Sequence, residues 1–377
     1  MLFRSRVPSV GPSSPGYLVY AHYRGKPIHF LLKRTKDNLD LLNRLNKSVP
    51  GYSPTIYLPS SYLKTLSNFA LVSKPSYRRE VIGADRGGQV ALDFYEPTIH
   101  PPAGEKGAKQ QAKHSVPPVR ADRGEKKRPL VVIVPGFGTD SHYQYIYGAA
   151  MSVYNTLGWD VCVFNQKGMG RIPFTGSDLL GYWSSKDLEY VLTHLAKDHS
   201  DIHLLGFSVG ANLIQNFLTD LWDCRREQTA LSQAAAQGLT SPIFTPRPYT
   251  RDVTNTALLD SIVSTVSISP IYHFQTTCNI ISAKAWINPV LNLKLFNCIE
   301  ANLPYEDFKK AMKEHDLSLE GLKKLKTFTE LNQTVIQACL REPDAQKAFD
   351  LISPWQHLDQ VHTKMLCISS LDDIIVE

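Results

Sequence analysis

The sequence predicts an α/β fold, a mostly parallel sheet with flanking helices and a helical cap. Three observations predict it. Short continuous apolar runs, such as Leu-Val-Val-Ile-Val at 130–134, are what strands buried on both faces look like. Helix-period segments alternate with such runs between 141 and 222, as in right-handed strand–helix–strand units. A glycine-flanked turn, Gly206-Phe207-Ser208-Val209-Gly210, sits between an apolar run and a helix-forming one.

Taken in order, residues 1–75 are aromatic and proline-rich and read as a covering segment. The core begins at 76, and its first part extends to 270. Within it, 78–97 reads as two strands with Gly87-Gly88 supplying the turn. A flexible basic loop follows at 101–129, with eight Lys or Arg against three Asp or Glu, so it carries most of the net charge of +6. It has no aromatics to stack on bases, which argues against a nucleic-acid groove. It reads as a solvated linker, with a patch for acidic lipid or protein as the alternative. After the strand at 130–134 come a helix at about 141–157, a strand at 159–164 and a helix at about 185–197 with Ser184 as N-cap. A strand at 203–206 and a helix at 211–222 follow. Residues 223–262, polar and rich in alanine and glutamine, read as an inserted loop. A strand at 265–269 precedes 271–350, which is helical by periodicity and reads as a cap over the sheet edge. Residues 351–377 return to the core, with the last strand at 364–369.

Composition narrows the class. Of 377 residues, 43% are hydrophobic and 20% charged, as in soluble globular proteins. The six cysteines are scattered, with no C-x-x-C pair and no zinc-type spacing to histidine, so reduced thiols and no metal site are expected. No cofactor is expected either. No run of eighteen apolar residues predicts a membrane-spanning helix, and no signal-peptide core is visible. Seven basic residues precede the first acidic one, Asp37, which resembles a transit-peptide bias, but Pro8, Pro12 and Pro15 oppose the helix such a peptide needs. The expected location is cytoplasmic or peripheral to a membrane, with organellar targeting as the lesser alternative.

Ser208 is the candidate nucleophile. A serine two residues from glycine on each side can occupy a sharp strand-to-helix turn that lifts its hydroxyl above the sheet. Acyl transfer also creates a negative oxygen that needs preorganised N–H donors. The expected oxyanion hole is the backbone N–H of Val209, after the nucleophile, and of Phe137, in the Pro135-Gly136-Phe137-Gly138 loop after the 130–134 strand.

These segments resemble the α/β-hydrolase superfamily, in particular the branch of YheT-like and phospholipase-like esterases. The resemblance covers roughly 55–377. Tyr57-Leu58-Pro59 with Leu63-Lys64-Thr65 is similar to the family's segment ahead of the first strands. Pro135-Gly136-Phe137-Gly138-Thr139 with Tyr145-Ile146 resembles its H-G-x-x-G and Y-I block, with proline for histidine. Phe164-Asn165-Gln166-Lys167-Gly168 resembles F-N-x-R-G with lysine for arginine, and Asp187-Leu188 matches the D-L that follows. Asn165 and Lys167 read either as groups near the pocket mouth or as a structural turn. Gly206-Phe207-Ser208-Val209-Gly210-Ala211-Asn212 resembles G-x-S-x-G-G-N.

The acid of a Ser–Asp–His order should follow the last strand. Asp373 fits the family's D-D-P-x-x-P pattern best, with Asp372 as the alternative. The histidine should come later still, yet no residue follows Glu377. His357 and His362 precede the last strand, His203 lies inside the strand before Ser208, and His142 lies near the oxyanion loop. The expectation is therefore a truncated chain, without the final strand, helix and base, whose last strand is a bare edge. The expected function is a serine ester hydrolase, carboxylesterase or lipase-like, acting on acyl or lipid esters. The alternative is a truncated or non-catalytic binding protein of the same fold. The expected partner is a small acyl or lipid ester, with peripheral membrane contact and no nucleic acid.

Overall fold

The computed structural model describes residues 18–21, 29–31, 36–48, 76–97, 128–177, 179, 184–237 and 253–370. Most of the basic loop 101–129 lies outside them. Among the described residues nine strands form one sheet: β1 (Leu18–Ala21), β2 (His29–Leu31), β3 (Tyr77–Gly83), β4 (Gln89–Tyr95), β5 (Leu130–Val134), β6 (Asp160–Asn165), β7 (Ile202–Phe207), β8 (Ile262–Ile268) and β9 (Lys364–Ser370). Their order is β2-β1-β9-β8-β7-β5-β6-β4-β3. β1, β9, β8, β7, β5 and β6 run parallel, and antiparallel β2 and the β4–β3 pair finish the two ends. The helices are α1 (Lys36–Ser48), α2 (Gln144–Leu157), α3 (Ser185–Leu195), α4 (Val209–Ala236), α5 (Leu258–Ser261), α6 (Phe274–Ala283), α7 (Ile287–Asn302), α8 (Glu306–Glu314), α9 (Leu319–Lys323), α10 (Phe328–Leu340) and α11 (Ala345–Leu351).

The apolar strands are covered on both faces, and the two-residue period of a strand sorts their side chains. Leu130, Val132 and Val134 join Phe164, Leu192, Leu204, Leu213 and Phe217 in a core beneath α3 and α4. Val131 and Ile133 point the other way, with Val161, Val163, Ile146 and Ala150 beneath α2. α3 starts where Ser184 predicted it, with the Ser184 hydroxyl accepting from the Asp187 N–H at 3.1 Å. The last strand also begins where expected, at Lys364, whereas β8 starts three residues earlier than the 265–269 run.

Two expectations are corrected. The helix after Ser208 does not give way to a loop at 223: α4 continues to Ala236. Residues 223–236 contain neither glycine nor proline and are rich in Arg, Gln, Glu, Leu and Ala, all good helix formers. Polarity there marks an exposed helix end rather than an inserted loop. Second, the outer edge of β9 is not bare. β1, from within the 1–75 covering segment, pairs with it in parallel, setting Leu18 opposite Cys367 and Tyr20 opposite Ser369. Backbone donors and acceptors of an edge strand demand partners, and a distant segment supplies them here.

Candidate active site

Ser208 links β7 to α4 with φ 51° and ψ −116°, a left-handed backbone that non-glycine residues rarely adopt. Its N–H donates to the Ile268 carbonyl at 2.9 Å, and its carbonyl accepts from the Asn212 N–H at 3.0 Å. These bonds hold the strained residue between β8 and the first turn of α4. Gly210 explains why the turn needs a glycine: a Cβ there would sit 2.3 Å from the Val134 carbonyl oxygen. The joint after Ser208 therefore packs directly on the end of β5.

The expected oxyanion loop is brought to the same place. A Cβ on Gly136 would lie 3.4 Å from the Ser208 Cβ, so the loop backbone abuts the serine. The Thr139 hydroxyl donates to the Gly136 carbonyl at 2.7 Å and bonds the Tyr145 hydroxyl at 2.7 Å. Burial raises the Tyr145 phenol to about 12, so it stays protonated as a hydrogen-bonding post for this loop. Val209 is the first residue of α4, where N–H groups have no intrahelical acceptor. The structure thus places Ser208, Val209 and the Phe137 loop together. Asp372 and Asp373 lie outside the described residues.

Three of the histidines considered as bases have partners of their own. His203 stacks on Trp159 and its Nδ1 bonds the Ser264 hydroxyl at 2.8 Å, with burial lowering its pKa. His362 packs edge-on to Trp222. His142 Nδ1 lies 3.2 Å from Asp140 Oδ1, on the approach to α2.

Asn165 and Lys167 both bond buried carboxylates, and Lys167 also lines an apolar cavity beside Phe137. Asn165 Nδ2 donates to Asp93 at 2.8 Å, and Asn165 Oδ1 accepts from the Ser141 N–H at 2.9 Å. Asp93 also takes both a 2.7 Å bond from Arg79 Nε and one from Arg79 Nη2. Lys167 pairs with Asp187 at 3.0 Å, both side chains fully buried, so two separate sequence blocks meet as one ion pair. Asp187 additionally accepts from the Asp85 N–H at 2.9 Å.

Sequence reasoning missed what Asn212 and Asn216 do. Asn212 Nδ2 donates to the carbonyls of Ile271 and Ile352, both at 3.0 Å, and Asn216 Nδ2 donates to Ile352 at 2.8 Å. They tie the helix carrying Ser208 to both ends of the helical region. The available signal was a pair of asparagines one turn apart on a helix otherwise buried, where only a structural partner makes such residues tolerable.

Beside the Phe137 loop lies an apolar cavity of about 80 Å³. Phe137, Phe174, Leu295, Ile299, Phe308 and Met312 are among its walls, so α7 and α8 close it from above. Ser208 is not part of its wall; Phe137 is the residue shared by the cavity and the loop beside Ser208. Among the described residues no cluster of three metal-ligating side chains occurs, and no helix is long and apolar enough to cross a membrane.

Comparison with known proteins agrees with this architecture. The family model described as the alpha/beta hydrolase fold matches residues 129–221, from β5 into α4. A monoacylglycerol lipase of Saccharomyces cerevisiae is 21% identical over 377 residues, covering 91% of this chain and 76% of that protein. Phospholipase ABHD3 of Bos taurus is 27% identical over 171 residues, 44% of this chain and 37% of that one. The chain thus spans little more than a third of that phospholipase. A medium-chain fatty acid ethyl ester synthase/esterase of Saccharomyces cerevisiae is 23% identical over 99% of this chain and 87% of its own length. Among solved structures, brefeldin A esterase is 12% identical, with a TM-score of 0.34, covering 80% of this chain and 71% of that one. With a parallel sheet covered by helices on both faces and a strained serine between β7 and α4, within the segment that the family model matches, the chain has the α/β-hydrolase fold.

Proposed function

We propose that the protein is a serine ester hydrolase acting on acyl esters of lipid type. The observation that carries this reading is Ser208 held at φ 51° against the Gly136 backbone, with α4 beginning at the next residue. In this reading Ser208 Oγ attacks the ester carbonyl, forming a C–O bond. The developing oxyanion accepts from the Val209 and Phe137 N–H groups, and the alcohol leaves as the carbonyl re-forms. Water then releases the acid. Asp373 is the proposed acid of the triad, orienting a histidine base. The apolar cavity beyond Phe137 takes the acyl chain, and α6 to α11 act as its cap. Relatives named lipase, phospholipase and esterase support an ester substrate of this kind.

A fluorophosphonate probe tests the reading. Labelling of the full chain is expected, and Ser208→Ala should abolish it. In ester hydrolysis the same change should cost on the order of 10⁴–10⁶ in rate. Labelling that survives Ser208→Ala would reject Ser208 as the nucleophile. A second reading, a binding protein using the same cavity, is favoured by a cavity wall that does not include Ser208. Its signature is saturable binding of an apolar fluorophore with no labelling at Ser208.

A further inference from the structure

The cavity beside Phe137 is apolar along Phe174 and Phe308, but two amides share its wall: Asn302, the last residue of α7, and Asn332, on α10. They are 6% and 2% exposed. Asn302 Nδ2 donates to the Cys298 carbonyl at 2.8 Å and to the Gly168 carbonyl at 3.3 Å. Asn332 Nδ2 donates to the Phe328 carbonyl at 2.8 Å. Carbonyls only accept, so these bonds fix which end of each amide is the nitrogen. Among the described residues neither Oδ1 accepts a hydrogen bond. A buried carbonyl oxygen without a donor destabilises the fold unless a ligand or water serves it. Gly168, at φ 67°, keeps the space of one of these oxygens clear: a Cβ there would lie 2.6 Å from Asn302 Oδ1.

We propose that the cavity selects an acyl chain that carries a hydroxyl group, which donates to the Oδ1 of Asn302 or Asn332. Three observations select that ligand. The first is size. A cavity of about 150 Å³ admits one benzene, so about 80 Å³ holds roughly three or four non-hydrogen atoms, the end of a chain rather than a head group. The second is the wall, where the rings of Phe137, Phe174 and Phe308 suit methylenes and the two amide oxygens suit a donor. A saturated chain fills the same space and leaves both oxygens without one, and a site that loses such a donor discriminates strongly against the ligand lacking it. The third is charge. Of the buried Lys167–Asp187 pair it is the lysine that lines the cavity, so a neutral hydroxyl is favoured there over an ammonium group. The inference rests on the reading that this cavity takes the acyl chain, and goes beyond it by naming the kind of chain.

The test compares ethyl hexanoate with ethyl hexanoates hydroxylated at successive carbons of the acyl chain, using the full chain of the protein. At least one hydroxylated ester should have a kcat/KM about tenfold or more above the parent. In Asn302→Leu or Asn332→Leu protein that ratio should fall to about one, whereas structural damage would lower both rates alike and leave the ratio unchanged. The wild-type comparison stands even if neither variant folds. Hydroxyethyl hexanoate, with its hydroxyl on the alcohol side, should gain nothing over ethyl hexanoate. Ser208→Ala protein should bind the favoured hydroxylated ester about tenfold more tightly than the parent in a saturation-transfer NMR titration, so the preference is read whether or not Ser208 reacts. Absence of all ester turnover with that binding preference intact would reject the hydrolase reading alone. Equal binding of plain and hydroxylated chains, as expected if water serves both oxygens, would overturn the proposal. So would a preference found only for the alcohol-side hydroxyl or for an amino-substituted chain, or a ratio that neither folded variant moves.

Discussion

The parallel sheet and the helical region at 274–351 bury apolar surface by different rules. In β5, sequence parity decides everything: even-numbered residues face α3 and α4, and odd-numbered residues face α2. In α7, apolar residues stand both inside and outside, and nothing in its own pattern separates cavity-facing Leu295 from exposed Leu293. The polar groups differ in the same way. Some of those buried near the sheet sit in motif positions, as Lys167 and Asp187 do. Those in the helical region, such as Lys294, belong to no motif. Strand parity and short loops leave the sheet few arrangements, whereas helices packing on helices leave many.

Three substitutions would break or sharpen this contrast. The largest effect is expected at the motif ion pair. Lys167→Met strands the fully buried Asp187 carboxylate and should cost about 3–5 kcal/mol in urea unfolding. Adding Asp187→Leu should recover part of that loss. A cost no greater than that of a surface lysine would mean that the motif pair does not constrain the sheet.

Next is the joint after Ser208. Gly210→Ala drives a methyl against the Val134 and Pro135 carbonyls and should cost about 1–3 kcal/mol, read from the shift in denaturation midpoint. A neutral result would show that the turn yields, and with it the position of Ser208.

The smallest is on the helical side. Burial lowers Lys294 from 10.5 to about 8. Below pH 8 the ammonium is charged in both folded and unfolded chains, so the full burial penalty weighs on the fold. Between pH 8 and 10.5 the unfolded chain holds more protons, so this residue's contribution to stability rises with pH. Above 10.5 the penalty is gone. Lys294→Met should therefore be favoured most below pH 8, and its advantage should shrink across that window. A difference between the two proteins that stays constant from pH 8 to 10.5 would show that Lys294 is not held in a desolvated site.

Much of the site's frame was legible. The Ser208 pentapeptide, the glycine loop at 136–138 and the strand between them are local features, set by backbone angles that glycine permits and by the two-residue period. Their chain order carried the superfamily resemblance before any geometry. The Asn165 and Lys167 block left two readings open, and both have support: the two residues bond Asp93 and Asp187, and Lys167 also lines the cavity beside Phe137. Polarity misled at 223–236, because an exposed helix end is as polar as a loop and helix propensity was the better guide. The tethers from Asn212 and Asn216 to Ile352 span about 140 residues of sequence, a separation that no local pattern encodes.

By itself the sequence determined the class of the fold, the strand that carries Ser208 and the loop that meets it, because these follow from periodicity and from where glycine must stand. Only the tertiary structure decided that β1 covers the edge of β9, that Lys167 belongs to Asp187, and that α7 divides its apolar residues between cavity and surface. Those outcomes are pairings between distant segments, and whether a backbone edge, a buried charge or an apolar face is satisfied depends on what the rest of the chain brings to it.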